Sequence, residues 1–586
     1  MTQFSSIRLV LGSALMTGLF LACASNNSST QSQTGGTSAA GSPSTGATGG
    51  STGGTQMGTG GSTMGGAGKG TGGTTGGTTG GTGATGGTTP MTGGASGTTS
   101  GTGGSVPATG GTGMTGGSAG SGTTGGSAGT GTTGGSAGTG AMMGNCTFTT
   151  TSQTADKAGA NGIPTVGIVN WSVDMTGLTQ ASIDFTLMGG TTKMTAPVDV
   201  TTGPMFRTLL LGMKGSKTYS FHINATNGTS TCTSPDYMIT TGAVPSAVPR
   251  ITRTAGPAAS MQQKGFIVTS SGLGAGGGGF GGGMGGGSSY AFILDADGEI
   301  VWFAPAPATC SRAKMSYDGQ YMWMVELNVD NMTKDGGELR RISMDGLQNT
   351  GSIPGMANCH HDLTILPDGR AACMSWTKQS GDQPSDLLET DSMGNVKKVV
   401  TVDSNIYLGG SGLGGGGATY HTNSIHYHMK DDSYTLGDRN PNLYVKVSHA
   451  GQVLWQFGGS CTGAPAPKCV AGNWKVNHGH DMMDDGTFLF FNNGQSGAST
   501  AFFYKITETG TFAVNAADPP SYSPGTTSSV LGDVQRLPNG NTLVTFSTAS
   551  VIHEIDPTAK NLVQTISGPG GYAEWRETLY GAPPRF

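Results

Sequence analysis

The sequence predicts an all-β protein whose folded part follows a long segment without a hydrophobic core. From Cys146 onward, short runs of β-branched and aromatic residues alternate with turns rich in Gly, Asp, Asn and Pro, a pattern typical of all-β domains. Residues 25–144 consist almost entirely of Gly, Thr, Ser, Ala and Met. Such a composition offers too little apolar surface to offset the entropy cost of ordering the chain.

Residues 1–23 have the pattern of an export signal. One basic residue, Arg8, precedes an apolar run over residues 9–22, and Cys23 follows this run. The run is too short to span a membrane. The ending LAC resembles a bacterial lipoprotein signal, which implies an exported protein anchored to a bacterial membrane through a lipid on Cys23. Ordinary secretory cleavage at a neighbouring alanine is the alternative.

Residues 24–145 are predicted to form a disordered linker rich in Gly, Ser and Thr. The stretch TGGTTGGTTGGTGATGG shows its composition, and no strict three-residue period supports a glycine-rich structural repeat. The net charge of −5 and the lack of a basic cluster argue against nucleic-acid binding. The sequence does not define an oligomeric state.

Residues 146–245 are predicted to form a β-sandwich. Runs such as VGIVNWSV, ASIDFTL and KTYSFHINA alternate between apolar and polar residues, and turns separate them at intervals typical of sandwich strands. The VNW run, followed by LLLGMKGSKTY and YSFHINATN, resembles a fibronectin type III-like domain, in which the Trp lies in the core and the Tyr fixes a corner. Nothing in this segment indicates catalysis.

Residues 249–586 contain a repeat that predicts a six-bladed β-propeller. Turns of one kind recur as YDGQ, PDGR, KDDS, DDGT and PNGN, and turns of a second kind recur six times, from LDADGEIVW to IDPTAKNLVQTI. Two hairpins fit between successive signals, so each repeat is a blade of roughly four strands. Both ends of this region are expected to complete one blade, and the glycine tracts 272–287 and 409–417 are expected to be surface loops.

Polar residues recur at one position of this repeat. Counting eight residues back from the turn glycine reaches His361 in one repeat and His478 in another. A turn that is two residues longer places Asn423 there in a third repeat, with His421 on the same strand face and Arg439 on the next strand. We therefore predict that these side chains from three blades converge at one end of the central channel.

Neighbouring histidines leave the register open. His360 precedes His361, and His480 follows His478 by two residues, so His360 and His480 are second candidates for the same positions, and His480 is an alternative nucleophile.

His426 and His428 lie two residues apart on one strand, as a zinc-binding pair would. Their spacing from His421 is odd, so they are predicted to face away from the channel and to contact neighbouring blades. Without a third ligand, no metal site is predicted.

Four motifs together resemble the bacterial arylsulfate sulfotransferases that use no nucleotide sulfate donor: CHHDLTILPDGR, YHTNSIHYHMKDDSYTLGDR, NHGHDMMDDGTFLFFNNG and VQRLPNGNTLV. The resemblance spans most of residues 249–586. It implies a six-bladed propeller with a small β-sandwich, and sulfuryl transfer from a phenolic sulfate ester to a phenolic acceptor by a ping-pong mechanism through a sulfohistidine. No cofactor is expected. The alternatives are a non-catalytic binding module at the cell surface and an aryl sulfate hydrolase.

The resemblance also implies roles for the converging residues. His478 would be the nucleophile, and a neutral imidazole suits this role near neutral pH. His361, His421, Asn423 and Arg439 would bind the sulfuryl group, since a guanidinium grips two oxygens and an amide donates to a third. Either His421 or His361 would protonate the departing phenolate and later deprotonate the acceptor.

The chain has eight cysteines, and an exported chain can form disulfides. Cys373 lies in the strand-like run AACMSW and is expected to be a buried thiol. The expected pairs are Cys146 with Cys232, Cys461 with Cys469, and Cys310 with Cys359, although spacing alone does not prove a pairing.

Overall fold

The computed structural model describes residues 142–143, 146–272, 289–327, 337–377, 383–391, 393–408, 420–465, 467–494 and 497–583. The predicted signal peptide with Cys23, the predicted linker apart from its strand at residues 142–143, and nearly all of both glycine tracts lie outside these residues. The described residues belong to one compact unit and are nearly all β-structure, mostly in antiparallel sheets. Within them, no helix is long and apolar enough to cross a membrane.

The first nine strands form two sheets. They are β1 (Met142–Met143), β2 (Phe148–Thr154), β3 (Gly167–Val173), β4 (Gln180–Leu187), β5 (Lys193–Val198), β6 (Phe206–Leu210), β7 (Thr218–Thr226), β8 (Ser230–Thr233) and β9 (Tyr237–Thr240). One sheet has the order β2–β3–β6, and the other has the order β1–β8–β7–β4–β5 with β9 also paired to β7. A short helix, α1 (Ala155–Ala158), follows β2, and a 3-10 helix at Val200–Thr202 follows β5.

These two sheets enclose a hydrophobic core built on alternating residues. β7 has the burial alternation expected of a strand with one solvated face, and its buried side chains face this core. Trp171 is fully buried in the core, with the Phe206 ring 4.5 Å from it. The hydroxyl of Tyr219 accepts a hydrogen bond from the backbone nitrogen of Lys214 at 2.8 Å, which fixes the chain before β7.

Twenty-five further strands follow. They are β10 (Thr252–Ala255), β11 (Phe266–Ser270), β12 (Ser289–Leu294), β13 (Ile300–Ala306), β14 (Thr309–Met315), β15 (Tyr321–Leu327), β16 (Gly337–Ser343), β17 (Asn349–Ile365), β18 (Ala371–Trp376), β19 (Ser385–Thr390), β20 (Val396–Val402), β21 (Thr422–His428), β22 (Ser433–Asp438), β23 (Leu443–Ser448), β24 (Val453–Gly458), β25 (Cys469–Val470), β26 (Asn477–Met482), β27 (Thr487–Asn492), β28 (Thr500–Thr507), β29 (Ala513–Tyr522), β30 (Asp533–Arg536), β31 (Thr542–Phe546), β32 (Val551–Ile555), β33 (Leu562–Ser567) and β34 (Glu574–Arg576). Short 3-10 helices lie at Ala259–Met261 and Ser547–Ala549.

Strands β10–β34 are arranged in five sheets, in which the paired strands are antiparallel except for the parallel pair of β24 and β25. Their orders are β13–β12–β11–β34, β14 through β20, β21 through β25, β26 through β29, and β10–β33–β32–β31–β30. In the seven-stranded sheet, the long strand β17 ends one group of four strands and begins the next, because it pairs with β16 along its first part and with β18 along its second. β34 pairs with β11, so the beginning and the end of the region 249–586 contribute to one sheet, as the sequence predicted.

The structure contains three disulfides, and one of them corrects the sequence-based pairing. The Cys146–Cys232 and Cys461–Cys469 bridges are those predicted. The prediction that paired Cys310 with Cys359 and left Cys373 as a thiol is wrong: Cys359 bonds to Cys373, and Cys310 is a free, buried thiol. The reason is the hairpin of β17 and β18, which brings the Cα atoms of Cys359 and Cys373 to 5.9 Å from each other.

Candidate active site

The predicted site residues lie where strand pairing is irregular. The register of β17 on β18 shifts between His360 and Leu363, that of β21 on β22 between Thr422 and Ser424, and that of β26 on β27 between Asn477 and His480. These shifts leave His361, Asn423 and His478 outside the regular ladder. A bulge of this kind re-aims a side chain that the pleat would otherwise direct elsewhere. The three residues that the sequence placed at equivalent positions therefore share one structural feature, a shift in strand register.

Four histidines form one cluster at this position. The Nε2 atoms of His361 and His421 are 3.4 Å from each other, and the Nδ1 atoms of His360 and His361 are 3.1 Å from each other. The ring of His361 has its centroid 5.9 Å from that of His478. His361 has a left-handed backbone, with φ of 60°, which costs energy for a residue with a side chain and so marks a constrained position. The structure thus brings residues of β17, β21 and β26 to one place.

His478 is a fully buried imidazole that is held neutral. Burial lowers its pKa well below the ordinary value, and the positive charge of Arg439 and then His421 lower it further. Within the described part of the chain, neither ring nitrogen has a partner that satisfies hydrogen-bond geometry. The Asn493 side chain and the Val476 backbone act in the opposite direction on this pKa, so these two groups lie near the ring. A neutral ring with unused nitrogens is poised to act as a nucleophile.

Arg439 and Asn423 supply polar groups beside His478. Arg439 follows β22, and its backbone nitrogen donates to the carbonyl of His421 at 3.2 Å, while its Nε is buried without a partner among the described residues. The amide nitrogen of Asn423 donates one hydrogen to the Asn477 carbonyl at 2.8 Å, which leaves its second hydrogen for a ligand. The buried Nε of Arg439 and the amide of Asn423 thus keep unused hydrogen-bonding capacity, which an anion-binding site requires.

Asp438 anchors the segment that carries both His421 and Arg439. Its Oδ1 accepts a hydrogen bond from the backbone nitrogen of His421 at 2.9 Å, and the Tyr407 hydroxyl donates to its Oδ2. Burial raises the pKa of this carboxyl group, although these hydrogen bonds act against the rise. Asp438 therefore fixes the backbone on both sides of the hairpin opening.

His480, the alternative nucleophile, is occupied by structural hydrogen bonds. Its Nδ1 lies 2.9 Å from the Ser424 hydroxyl, and its Nε2 lies 2.7 Å from the Thr435 hydroxyl. Burial, then the charges of Arg312 and Lys314, lower its pKa to about 3. The bulge between Asn477 and His480 therefore separates the environments of His478, next to Arg439, and His480, next to Arg312.

His360, the other second candidate, lies behind His361. Its ring stacks on Trp376, with centroids 3.8 Å from each other and planes 7° apart, and its Nε2 lies 3.2 Å from the Ser385 hydroxyl. The structure thus places His361 between His360 and His421.

A buried ionic network ties the strands together next to His361. Arg312 donates from Nε to Asp362 at 2.6 Å and from Nη1 to Asp533 at 2.6 Å, and its guanidinium lies over the Tyr572 ring at 4.5 Å from the centroid. All three charged groups are almost fully buried. The hydroxyl of Ser311 donates to the His361 carbonyl at 2.7 Å. Removing one member would leave a buried charge unpaired, so the network strongly favours one register for β14, β17 and β30.

A cavity of about 270 Å³ lies on the other side of this network, and its lining corrects the prediction for His426 and His428. Its lining comes from six strands, β14, β17, β21, β26, β30 and β34. Among the lining residues of these strands are Arg312, Asp533, His426, His428 and His480. His426 and His428 therefore face the interior, because the bulge at Asn423 reverses the strand parity on which the prediction rested. The described residues contain no group of three His, Cys, Asp or Glu side chains that could hold a metal ion.

Sequence counting did not single out Asn493, Trp376, Asp438 or Ser385 as site residues. Asn493 lies just after β27, and its Nδ2 donates to the Ser528 and Leu531 carbonyls at 2.6 and 2.8 Å, which directs its Oδ1 away from them. The only sequence signal was the FNNG run itself, since Asn493 follows the strand that pairs with the His478 segment.

Comparisons with known proteins give one family match, over the region that carries these residues. The family model described as Arylsulfotransferase (ASST) matches residues 258–572. No curated protein matches the chain. Similar solved structures include a protein of unknown function from Bacteroides caccae, with 16% identity, a TM-score of 0.34, and coverage of 53% of this chain and 98% of that one. The nidogen/laminin complex has 8% identity, a TM-score of 0.34, and coverage of 53% and 97%. A β-propeller domain from Myceliophteria thermophila has 8% identity, a TM-score of 0.33, and coverage of 49% and 84%.

Proposed function

Because the chain belongs to the arylsulfotransferase family, whose model matches more than half of its residues, we propose that it moves a sulfuryl group from a phenolic sulfate ester to a phenolic acceptor through a sulfohistidine at His478. The observation that carries this proposal is the state of His478. It is a buried, neutral imidazole with two unused ring nitrogens, and it lies next to the positive charge of Arg439.

In the first half-reaction, a nitrogen of His478 attacks the sulfur atom of the donor. The S–N bond forms as the S–O bond to the phenol breaks, and the electron pair stays on the phenolate oxygen. His421 or His361 gives this oxygen a proton. Arg439 holds the sulfuryl oxygens through its guanidinium, and the second amide hydrogen of Asn423 stabilises the charge that develops on them.

In the second half-reaction, the acceptor phenol occupies the place of the departed phenol. The same histidine removes the hydroxyl proton, the phenol oxygen attacks the sulfur, and the S–N bond breaks. His478 returns to its neutral form, and the acceptor leaves as a sulfate ester. The low pKa of His478 supports this cycle, because the ring stays unprotonated and nucleophilic at neutral pH.

We propose that residues 249–586 form a six-bladed β-propeller and that residues 146–245 form a fibronectin type III-like sandwich. Six strands line a single cavity: four come from four different sheets, and β14 and β17, which come from the seven-stranded sheet, each begin a run of four strands there. This arrangement supports the blade count. The buried Trp171 and the hydrogen bond of Tyr219 support the sandwich assignment.

We also propose that the protein is exported, with a lipoprotein-type signal over residues 1–23, a lipid on Cys23 and a disordered tether over residues 24–145. The LAC ending and the Gly/Ser/Thr-rich composition support this proposal. Cys23→Ser is expected to move the protein from the membrane fraction to the soluble fraction of cells that express it. An unchanged distribution would contradict lipid anchoring.

A donor-only incubation tests the proposed mechanism. Protein mixed with 4-nitrophenyl sulfate and no acceptor is expected to release one equivalent of nitrophenol in a burst and to carry a sulfuryl group on the peptide that contains His478. Added phenol is expected to restore continuous turnover. Release without protein sulfation, at a rate that phenol does not change, would favour an aryl sulfate hydrolase. No release with any aryl sulfate would favour a binding module.

A further inference from the structure

The backbone carbonyl groups of the three residues at the register shifts share one kind of hydrogen-bond partner. Each accepts a hydrogen bond from a side-chain hydroxyl of another part of the chain. The donor and acceptor residues, with the distance between the two oxygen atoms, are Ser311 and His361 at 2.7 Å, Tyr572 and Asn423 at 3.2 Å, and Tyr444 and His478 at 2.9 Å. A bulge disrupts the ladder locally, so side-chain donors take part in holding the backbone there.

The three hydroxyl donors are fixed parts of the interior. Ser311 belongs to β14, Tyr444 belongs to β23, and Tyr572 lies just before β34. All three residues are fully buried. Burial raises the pKa of Tyr444 and of Tyr572 well above the ordinary value, so both keep the hydroxyl hydrogen that they donate.

Tyr572 connects two of the register shifts. Its backbone nitrogen donates to the Ser311 carbonyl at 2.9 Å, and the hydroxyl of the same serine holds the His361 carbonyl. The guanidinium of Arg312 lies over the Tyr572 ring at 4.5 Å from the centroid, and the buried ionic network holds that guanidinium in place. The Tyr572 hydroxyl therefore reaches Asn423 from a ring that is held at its backbone and on its face.

These bonds bear on the directions of the site side chains. The peptide group is planar, so a hydrogen bond to a carbonyl oxygen restricts rotation of the backbone at the residue that carries it. The side-chain amide of Asn423 also donates to the Asn477 carbonyl at 2.8 Å, and the two bonds together fix the orientation of its second amide hydrogen. The Tyr444 hydroxyl restricts the backbone of His478 in the same way.

We propose that Tyr572 and Tyr444 are positioning residues for sulfuryl transfer, Tyr572 through Asn423 and Tyr444 through His478. The proposal rests on the proposed function and assigns two residues to it. Each tyrosine acts only through the residue whose carbonyl its hydroxyl holds. The hydroxyl of Tyr572 aligns the amide with the charge that develops on the sulfuryl oxygens, and that of Tyr444 aligns the attacking imidazole with the sulfur atom.

Single-turnover reactions with 4-nitrophenyl sulfate test the role of Tyr572. Tyr572→Phe keeps the ring under Arg312 and removes only the hydroxyl. We expect the maximal rate of nitrophenol release to fall by about 10- to 100-fold, because a small misplacement of a catalytic group has a large effect on rate. The donor concentration at half-maximal rate is expected to change by less than about 3-fold, because Arg439 still binds the sulfuryl oxygens.

A double-mutant cycle shows whether Tyr572 acts through Asn423. In protein that already carries Asn423→Ala, the hydroxyl has no amide to align. Adding Tyr572→Phe to this protein is therefore expected to lower the maximal rate by less than about 2-fold. Losses that multiply in the double variant would show that Tyr572 acts independently of Asn423 and would overturn its positioning role.

Two further tyrosine variants complete the experiment. Tyr444→Phe is expected to lower the maximal rate to a similar extent, and it tests the proposal if Tyr572→Phe does not fold. Tyr434→Phe is the matched control, because this buried tyrosine donates its hydroxyl to Glu389 at 2.7 Å and not to a residue at a register shift. We expect Tyr434→Phe to lower thermal stability and to leave the maximal rate unchanged.

The outcomes separate this proposal from the proposed function. A rate that falls equally in the control and in the other two single variants would follow stability alone and would overturn the proposal, as would an unchanged rate in Tyr572→Phe and Tyr444→Phe. If wild-type protein released no nitrophenol and carried no sulfuryl group, the sulfuryl transfer itself would fail, and the positioning roles with it.

Discussion

Replacing His478 with alanine is expected to lower the rate of sulfuryl transfer by at least about 10⁴-fold, because the S–N bond of the proposed cycle forms on this ring. His478 is the histidine that combines burial, a pKa well below the ordinary value and the proximity of Arg439. The same substitution is expected to remove the donor-dependent mass increase of the protein. Nitrophenol release and intact-protein mass spectrometry measure the two effects.

A matched variant separates chemistry from packing. His480 lies two residues further along β26 and is also buried, but its nitrogens are bound to Ser424 and Thr435. His480→Gln is expected to lower thermal stability while leaving donor-dependent sulfation in place. Sulfation that persists in His478→Ala and disappears in His480→Gln would transfer the nucleophile to His480 and overturn the assignment.

The sequence predicted which residues converge because a local rule governs their positions in the repeat. In a β-hairpin, the turn fixes the register of the strand before it, so a constant distance from the turn selects the same place in each repeat. This rule placed His361 and His478 at equivalent positions, and a two-residue allowance placed Asn423 with them. The structure gives all three the same feature, a shift in strand register.

The other predictions failed because the inward and outward alternation of side chains along a strand does not account for bulges or hairpin register. The parity argument for His426 and His428 failed because a bulge at Asn423 inserts one residue, which turns every later side chain to the other face. The disulfide prediction failed for a related reason: Cys359 and Cys373 meet across a hairpin, where pairing depends on register rather than on the number of intervening residues.

Trp376, Ser385 and Asn493 reach the site only through strand neighbours. Trp376 and Ser385 are paired residues of β18 and β19, and they meet His360 of β17 because these strands are adjacent in one sheet. Asn493 faces His478 because β27 is the pairing partner of β26. Turn spacing carries no information about which side chain of a neighbouring strand faces the site, so the sequence alone did not predict these contacts.

Replacing Arg439 is expected to have two effects that different substitutions separate. Arg439→Gln removes both the guanidinium grip on the sulfuryl oxygens and the positive charge beside His478. We expect kcat/KM at neutral pH to fall by about 10²–10³-fold, the usual cost of losing one transition-state donor or more. The charge of Arg439 lowers the pKa of His478, second only to burial, so its loss is expected to raise that pKa.

The direction of the pH effect follows from which form of His478 reacts. Only the neutral ring attacks sulfur, so activity declines as pH falls through the pKa of this histidine. In wild-type protein that pKa lies well below 6.5, and the decline from this group begins far on the acidic side. In Arg439→Gln the decline is expected at a higher pH. Arg439→Lys keeps the positive charge and is expected to retain the acidic limb of the wild-type profile. Its kcat/KM is still expected to fall, because an ammonium group lacks the planar fork of a guanidinium. Profiles of kcat/KM against pH for the three proteins measure this difference, and an acidic limb that stays in place in Arg439→Gln would show that Arg439 does not act on the nucleophile.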